Sequence, residues 1–266
     1  MAVLKRTISQ SFAALRGHGI GLVPFIPAGF PDLETTGKTL IAIDALNPAA
    51  IEIGFPFSDP IADGPTIQQA FTEALAKGIR VSEIFAMIRQ SAAQVAAPLL
   101  GMLSYSIVFR YGAEKFFADA KSAGFSGLII PDLPPPEANK MCGKIRAAGL
   151  DTILLVAPTT TPQRRREVVG LCSGFVYYLS VSGITGARDE LPADLAQNVR
   201  ELRDLTDLPI CVGFGVSRRK HILALSPLAD GAIVGSAIVK RMIELAPNQR
   251  QAIPQAVADY CRSLLL

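Results

Sequence analysis

Eight short apolar runs, each separated from the next by a longer amphipathic stretch, restrict the fold of this chain more than any other feature. The runs are GLVPFI (21–26), AIEIG (50–54), PLLGML (98–103), GLII (127–130), TILLVA (152–157), FVYYLS (175–180), LPICVGF (208–214) and GAIVG (231–235). They are continuously apolar instead of alternating, as parallel strands covered on both faces must be. Between and after them, helical spacing predicts helices over 33–46, 81–96, 112–123, 136–148, 163–172, 191–205, 218–226, 237–245 and 254–264. Strand and helix in regular alternation indicate a parallel α/β architecture. About eight such units within 266 residues match the roughly 250 residues of a (β/α)8 barrel, whereas an open doubly wound sheet uses fewer strands. The expected fold is therefore α/β, a single TIM-barrel domain over 1–266. An additional N-terminal helix carries Ile8, Phe12 and Leu15 on one face.

Composition supports a large aliphatic core. Half the residues are hydrophobic, 18% are charged and none is Trp. The net charge of +3, from 26 basic and 23 acidic residues, is too mild to predict nucleic-acid binding. The basic runs Arg164–Arg166 and Arg218–His221 read as solvated helix surface. Cys142, Cys172, Cys211 and Cys261 form no CxxC pair and read as reduced thiols. The N-terminal stretch lacks the apolar segment of a secretory signal, and no run approaches the roughly 20 apolar residues of a membrane span. A soluble, cytoplasmic protein is expected, with neither membrane nor nucleic acid as a partner.

Where the chemistry should lie follows from the fold. The proline-rich segments PDLPPP (131–136) and APTTTP (157–162) each follow a predicted strand, so they are loops at the carboxyl end of the barrel, where active sites of this fold are built. The most informative stretch is IEIGFPFSDPIADGPTIQ (51–68). Glu52 stands between Ile51 and Ile53 inside an apolar strand; if the isoleucines face the helices, Glu52 faces the barrel interior. Burying a lone carboxylate costs several kcal/mol unless it is paired or protonated. The residue is either a structural carboxylate satisfied locally or a general acid–base whose pKa the interior has raised. The following loop carries Asp59 and Asp63. Each could simply shape a turn or cap a helix, but Asp63 is placed to return over the strand end opposite Glu52.

A second cluster is rich in glycine. SGITG (182–186), GFGVS (213–217) and GS (235–236) follow the last three apolar runs. Glycines there let main-chain N–H groups approach a ligand closely. The loops after the last two strands, with a short helix N-terminus, form the usual phosphate site of a TIM barrel, and a helix starting at Ser236 would aim its dipole at the anion. The alternative is ordinary turn glycines. His18 and His221 lack ligand-spaced partners, so zinc is not expected. No GxSxG elbow or P-loop occurs, and Lys240 reads as surface, not as a Schiff-base lysine. No metal or organic cofactor is demanded.

On these residues the chain resembles the tryptophan synthase α chain family. The signature at 51–68 carries the resemblance, together with VPFIPAGFPD (23–32), GLIIPDLP (127–134), APTTTPQR (157–164), YYLSVSGITGAR (177–188), VGFGVS (212–217) and GSAIVK (235–240), so that it spans nearly the whole chain. The resemblance implies a lyase that cleaves indole-3-glycerol phosphate to indole and glyceraldehyde 3-phosphate. It implies Glu52 as the catalytic glutamate and Asp63 as the acceptor of the indole N–H. Phe25 is then expected in the indole pocket, Tyr177 near Glu52, and Gly186, Gly215, Gly235 and Ser236 around the phosphate. Thr185 is expected to join the Asp63 loop when the site closes.

The resemblance also implies an α2β2 assembly with a β chain that alone holds pyridoxal phosphate, docked on Pro56–Asp59 and on the loop after the third strand. Two features depart from some family members. Val181 stands where some carry arginine, and LSYSIVFRYG (103–112), with Ser106 and Ile107, replaces the usual versions of that third loop. From the residues alone, a sugar-phosphate isomerase or aldolase would fit nearly as well, although an aldolase would call for an interior lysine or a metal. A barrel that only activates a β chain would be expected to lose Glu52 or Asp63, and both are present. A stand-alone indole-releasing lyase would share the same residues.

Overall fold

The structure is a computed structural model that describes residues 3–17, 19–58, 63–180, 192–213 and 215–265. Its strands are β1 (Gly21–Pro27), β2 (Ile51–Gly54), β3 (Leu99–Met102), β4 (Gly127–Ile129), β5 (Asp151–Ile153), β6 (Leu155–Val156), β7 (Val176–Leu179), β8 (Ile210–Gly213) and β9 (Gly231–Val234). All pairings are parallel, in the order β5-β4-β3-β2-β1-β9-β8-β7-β6. The two ends of that order, β5 and β6, are separated in the chain by Leu154 alone, and the carbonyl of Leu154 accepts the N–H of Tyr177 at 3.2 Å. They are halves of one barrel strand, so the sheet closes on itself as a TIM barrel of eight strand positions.

Each apolar run became a strand because side chains on both faces are covered. Ile51 and Ile53 join the large cluster that includes Leu40, Ile43, Ile84 and Ile88 of the surrounding helices. Val23, Leu100, Ile129, Ile153, Tyr177, Cys211 and Ile233 form a second cluster, the barrel interior. The N-terminal helix α1 (Ile8–Leu15) plugs one end of that interior. Ile8 and Phe12 pack into the inner cluster, and Phe12 meets Phe175 edge-on, ring centroids 6.0 Å apart. Thr7 caps α1, accepting from the Gln10 N–H at 3.1 Å.

The expected helices are present with edges moved by a few residues: α2 (Leu33–Asp44), capped by Asp32, then α4 (Val81–Ala92), α6 (Ala113–Ala123), α7 (Pro135–Ala147), α8 (Pro162–Leu171), α9 (Leu195–Arg203), α10 (Arg219–Leu225), α11 (Ser236–Leu245) and α12 (Ile253–Leu265). Two others are additions to the sequence reading. Helix α3 (Pro65–Ala76) begins on the proline of the DGPTIQ segment and buries Ile67, Ala70, Phe71 and Ala74, a three-and-four spacing. Helix α5 (Tyr105–Tyr111) starts at Ser104, whose hydroxyl accepts the Ser106 N–H at 3.2 Å.

The basic runs are only partly the solvated surface expected of them. Arg165 is buried and pairs with Glu201 of α9, and His221 is buried on the inner face of α10. In each case one residue of the run falls on the face that its helix turns inward. All four cysteines are free thiols and buried. No helix of the described residues is long and apolar enough to cross a membrane.

Candidate active site

At the carboxyl ends of the strands a cleft is lined by Phe25, Glu52, Asp63, Ile67, Met102, Tyr177, Gly215, Val216, Ser217, Ile233, Gly235, Ser236 and Ala237. Every expected site residue that the structure describes is in this set. Thr185 and Gly186 lie outside the described residues, as do Val181 and Asp59. Six cleft residues were not singled out from sequence: Ile67, Met102, Val216, Ser217, Ile233 and Ala237. Alternation along the strands marks two of them, since Met102 follows inward-facing Leu100 by two and Ile233 shares a face with Gly231. Ile67 belongs to α3, the helix that the loop-like sequence concealed.

Glu52 is completely buried. Its register neighbours are Phe25 on β1 and Leu100 on β3, both apolar, and neither carboxyl oxygen has a hydrogen-bond partner among the described residues. A bare carboxylate there would be costly, so burial pushes the pKa up to about 8 and the group is held as the neutral acid at pH 7. Asp63 sits at the mouth on the segment that leads into α3, half-buried, its main-chain carbonyl accepting from the Gln68 side chain at 2.7 Å. Burial raises its pKa to about 6, which leaves it mostly ionised at neutral pH. One cleft thus holds a proton donor and an anionic acceptor, their pKa values separated by environment.

Tyr177 is buried beside them. Desolvation, then the charges of Glu52 and Asp63, push its hydroxyl well above the ordinary tyrosine value, so it stays protonated. Backbone packing fixes the apolar wall. A Cβ on Gly54 would lie 2.4 Å from the Phe25 ring, and one on Gly213 would lie 2.7 Å from the Tyr177 ring. Glycine at both positions lets an aromatic side chain lie flat across the neighbouring strand.

The opposite wall is main chain. Gly215 has φ +88°, a left-handed conformation that suits glycine, and the loop turns there into the cleft. Helix α11 begins at Ser236 directly after Gly235, and no side chain of the described residues caps it. Its first-turn N–H groups and positive dipole end face the cleft, a setting that attracts an anion.

A barrel mouth with a neutral carboxylic acid, an ionised aspartate and an anion cradle made of backbone defines a class: TIM-barrel enzymes that move protons on a small anionic substrate. The comparisons narrow it. The family model for the tryptophan synthase alpha chain matches residues 12–264. Tryptophan synthase alpha chains of Chloroflexus aggregans and a Cyanothece species are 44% and 43% identical over 260 residues, covering 97% of this chain and 96% of each relative. The crystallised tryptophan synthase subunit of the hyperthermophile Pyrococcus furiosus superposes with a TM-score of 0.84 at 34% identity, covering 92% of this chain and 97% of that one. The chain belongs to the tryptophan synthase alpha chain family, lyases that cleave indole-3-glycerol phosphate to indole and glyceraldehyde 3-phosphate in tryptophan biosynthesis.

Proposed function

We propose that this chain cleaves indole-3-glycerol phosphate by a retro-aldol reaction in which Glu52 transfers both protons and Asp63 holds the indole nitrogen. The observation that carries this reading is the fully buried Glu52 carboxyl, without a hydrogen-bond partner among the described residues and with a pKa near 8. Indole leaves poorly as a C3 carbanion. The neutral Glu52 acid protonates C3 first, which places positive charge on the ring nitrogen. The Asp63 carboxylate accepts the indole N–H and stabilises that charge. The Glu52 carboxylate left behind then takes the proton of the glycerol hydroxyl. The O–H electron pair forms the aldehyde, the carbon–carbon pair returns to the ring, and Glu52 ends as the acid it began as.

Phe25 would flank the indole, and Tyr177 would lie beside the reacting carbon. The phosphate would be held by main-chain N–H groups at Gly186, Gly215, Gly235 and Ser236, with Thr185 joining the Asp63 segment on closure. The whole of 1–266 would act as one domain in the cytoplasm. An α2β2 complex with a β chain would use the Pro56–Asp59 loop and α5 as contacts, and pyridoxal phosphate would belong to that partner alone. Exposed Phe109 on α5 supports the second contact. The test is indole release by the purified chain, with and without an added β chain. Release that is slow alone and rises strongly with the β chain is expected. Fast release from the chain alone would instead make it a stand-alone lyase, and none in either case from folded protein would overturn the reading.

A further inference from the structure

We infer that Tyr260 and His221 form a two-sided clamp on the main chain of Ser217 and thereby position the anion-binding loop at Gly215; the inference rests on the phosphate reading above. Tyr260, on the last helix α12, donates its hydroxyl to the carbonyl of Ser217 at 2.7 Å across 43 residues of sequence. From the other side, the N–H of Ser217 donates to Nδ1 of His221 at 3.2 Å. Both main-chain groups of one residue are therefore held by side chains from two different helices. Ser217 lines the active cleft, and also the adjoining groove that contains Tyr260, Arg241 and Lys240.

The clamp has a mechanical purpose. Gly215, two residues earlier, has φ +88° and the conformational freedom of glycine, which an anion would otherwise have to freeze on binding. Anchoring the loop just beyond that glycine removes this cost in advance. The Ser217 N–H is consumed by His221, so the Ser217 main chain serves as an anchor and not as an anion ligand. Tyr260 is itself constrained. Its ring is buried, and the Arg241 guanidinium carbon lies 4.1 Å from the ring centroid. Burial keeps the hydroxyl pKa near 12, so it remains a donor across the working range. Tyr260 and His221 are positioning residues: they touch no reacting atom.

The experiment compares the wild type with Tyr260→Phe, which keeps the ring and loses only the hydroxyl. Indole-3-glycerol phosphate cleavage is measured, and then the reverse synthesis from indole and glyceraldehyde 3-phosphate. Losing one such hydrogen bond should raise KM for the two phosphorylated substrates by about three- to tenfold, with KM for indole and kcat within about twofold of wild type. His221→Ala should act in the same direction, and His221→Asn, which can offer an acceptor near the Nδ1 position, should recover most of the loss. A rise in both reverse-direction KM values together, or in neither, would overturn the clamp while leaving the cleavage reading intact. A wild-type chain that releases no indole would overturn that cleavage reading, and the clamp's role with it.

Discussion

The two ends of the barrel solve opposite problems. At the amino end the interior is sealed by α1, where Ile8 and Phe12 are at most 5% exposed and pack into the inner apolar cluster, Phe12 edge-on against Phe175. At the carboxyl end a carboxyl group is as deeply buried but has no hydrogen-bond partner among the described residues, an arrangement that costs stability. A natural chain retains such strain where function needs it. Changes at the closed end should therefore cost stability and spare chemistry, and changes at the open end should do the reverse.

The sharpest break of that contrast is Glu52→Gln. Loss of a proton-transfer group should reduce kcat for indole release by about 10³-fold or more in a chain that still folds; substantial turnover by folded variant would remove Glu52 from the mechanism. Asp63→Asn should lower kcat by about 10²-fold while the variant still binds a non-cleavable analogue, as checked by steady-state kinetics and calorimetric titration. At the closed end, Phe12→Ala removes a buried ring and should cost about 3 kcal/mol in urea unfolding, with kcat per folded molecule unchanged. A large fall in kcat there would mean that the two ends are not separable.

Stability should also respond in the sense opposite to an ordinary core substitution. With a pKa near 4.5 unfolded and about 8 folded, Glu52 holds its proton in the native state while the unfolded chain releases it. Its burden is absent below the unfolded pKa, grows as pH rises through that window and levels off above 8. Glu52→Gln should thus be more stable than the wild type by on the order of 4 kcal/mol at pH 8, with the gap closing toward pH 4.5. Chemical denaturation at several pH values measures it.

Much of this contrast was legible in the residues, for reasons specific to each. Glu52 was readable because strand alternation between two isoleucines leaves only the interior for it. The start of α11 at Ser236 was readable because the glycine of a strand end precedes a clear helical pattern. Helix α3 was not, because turn-forming residues before Pro65 masked a helix whose apolar spacing begins only at Ile67. The interior positions of Arg165 and His221 were not, because a charge run does not reveal which of its members faces inward. The Ser217 clamp was hidden for a further reason: its Tyr260 arm joins residues 43 apart, and nothing local marks such a contact.

The central claim is that the Glu52 carboxyl is a neutral acid at pH 7 in the native protein. Its most direct test is a carbon-13 NMR titration of side-chain-labelled glutamate, with the Glu52→Gln spectrum identifying the Glu52 resonance. The account predicts a carboxyl signal that remains in the protonated position through pH 7 and shifts with a midpoint near 8. A midpoint near 4.5, the value of an exposed glutamate, would contradict it.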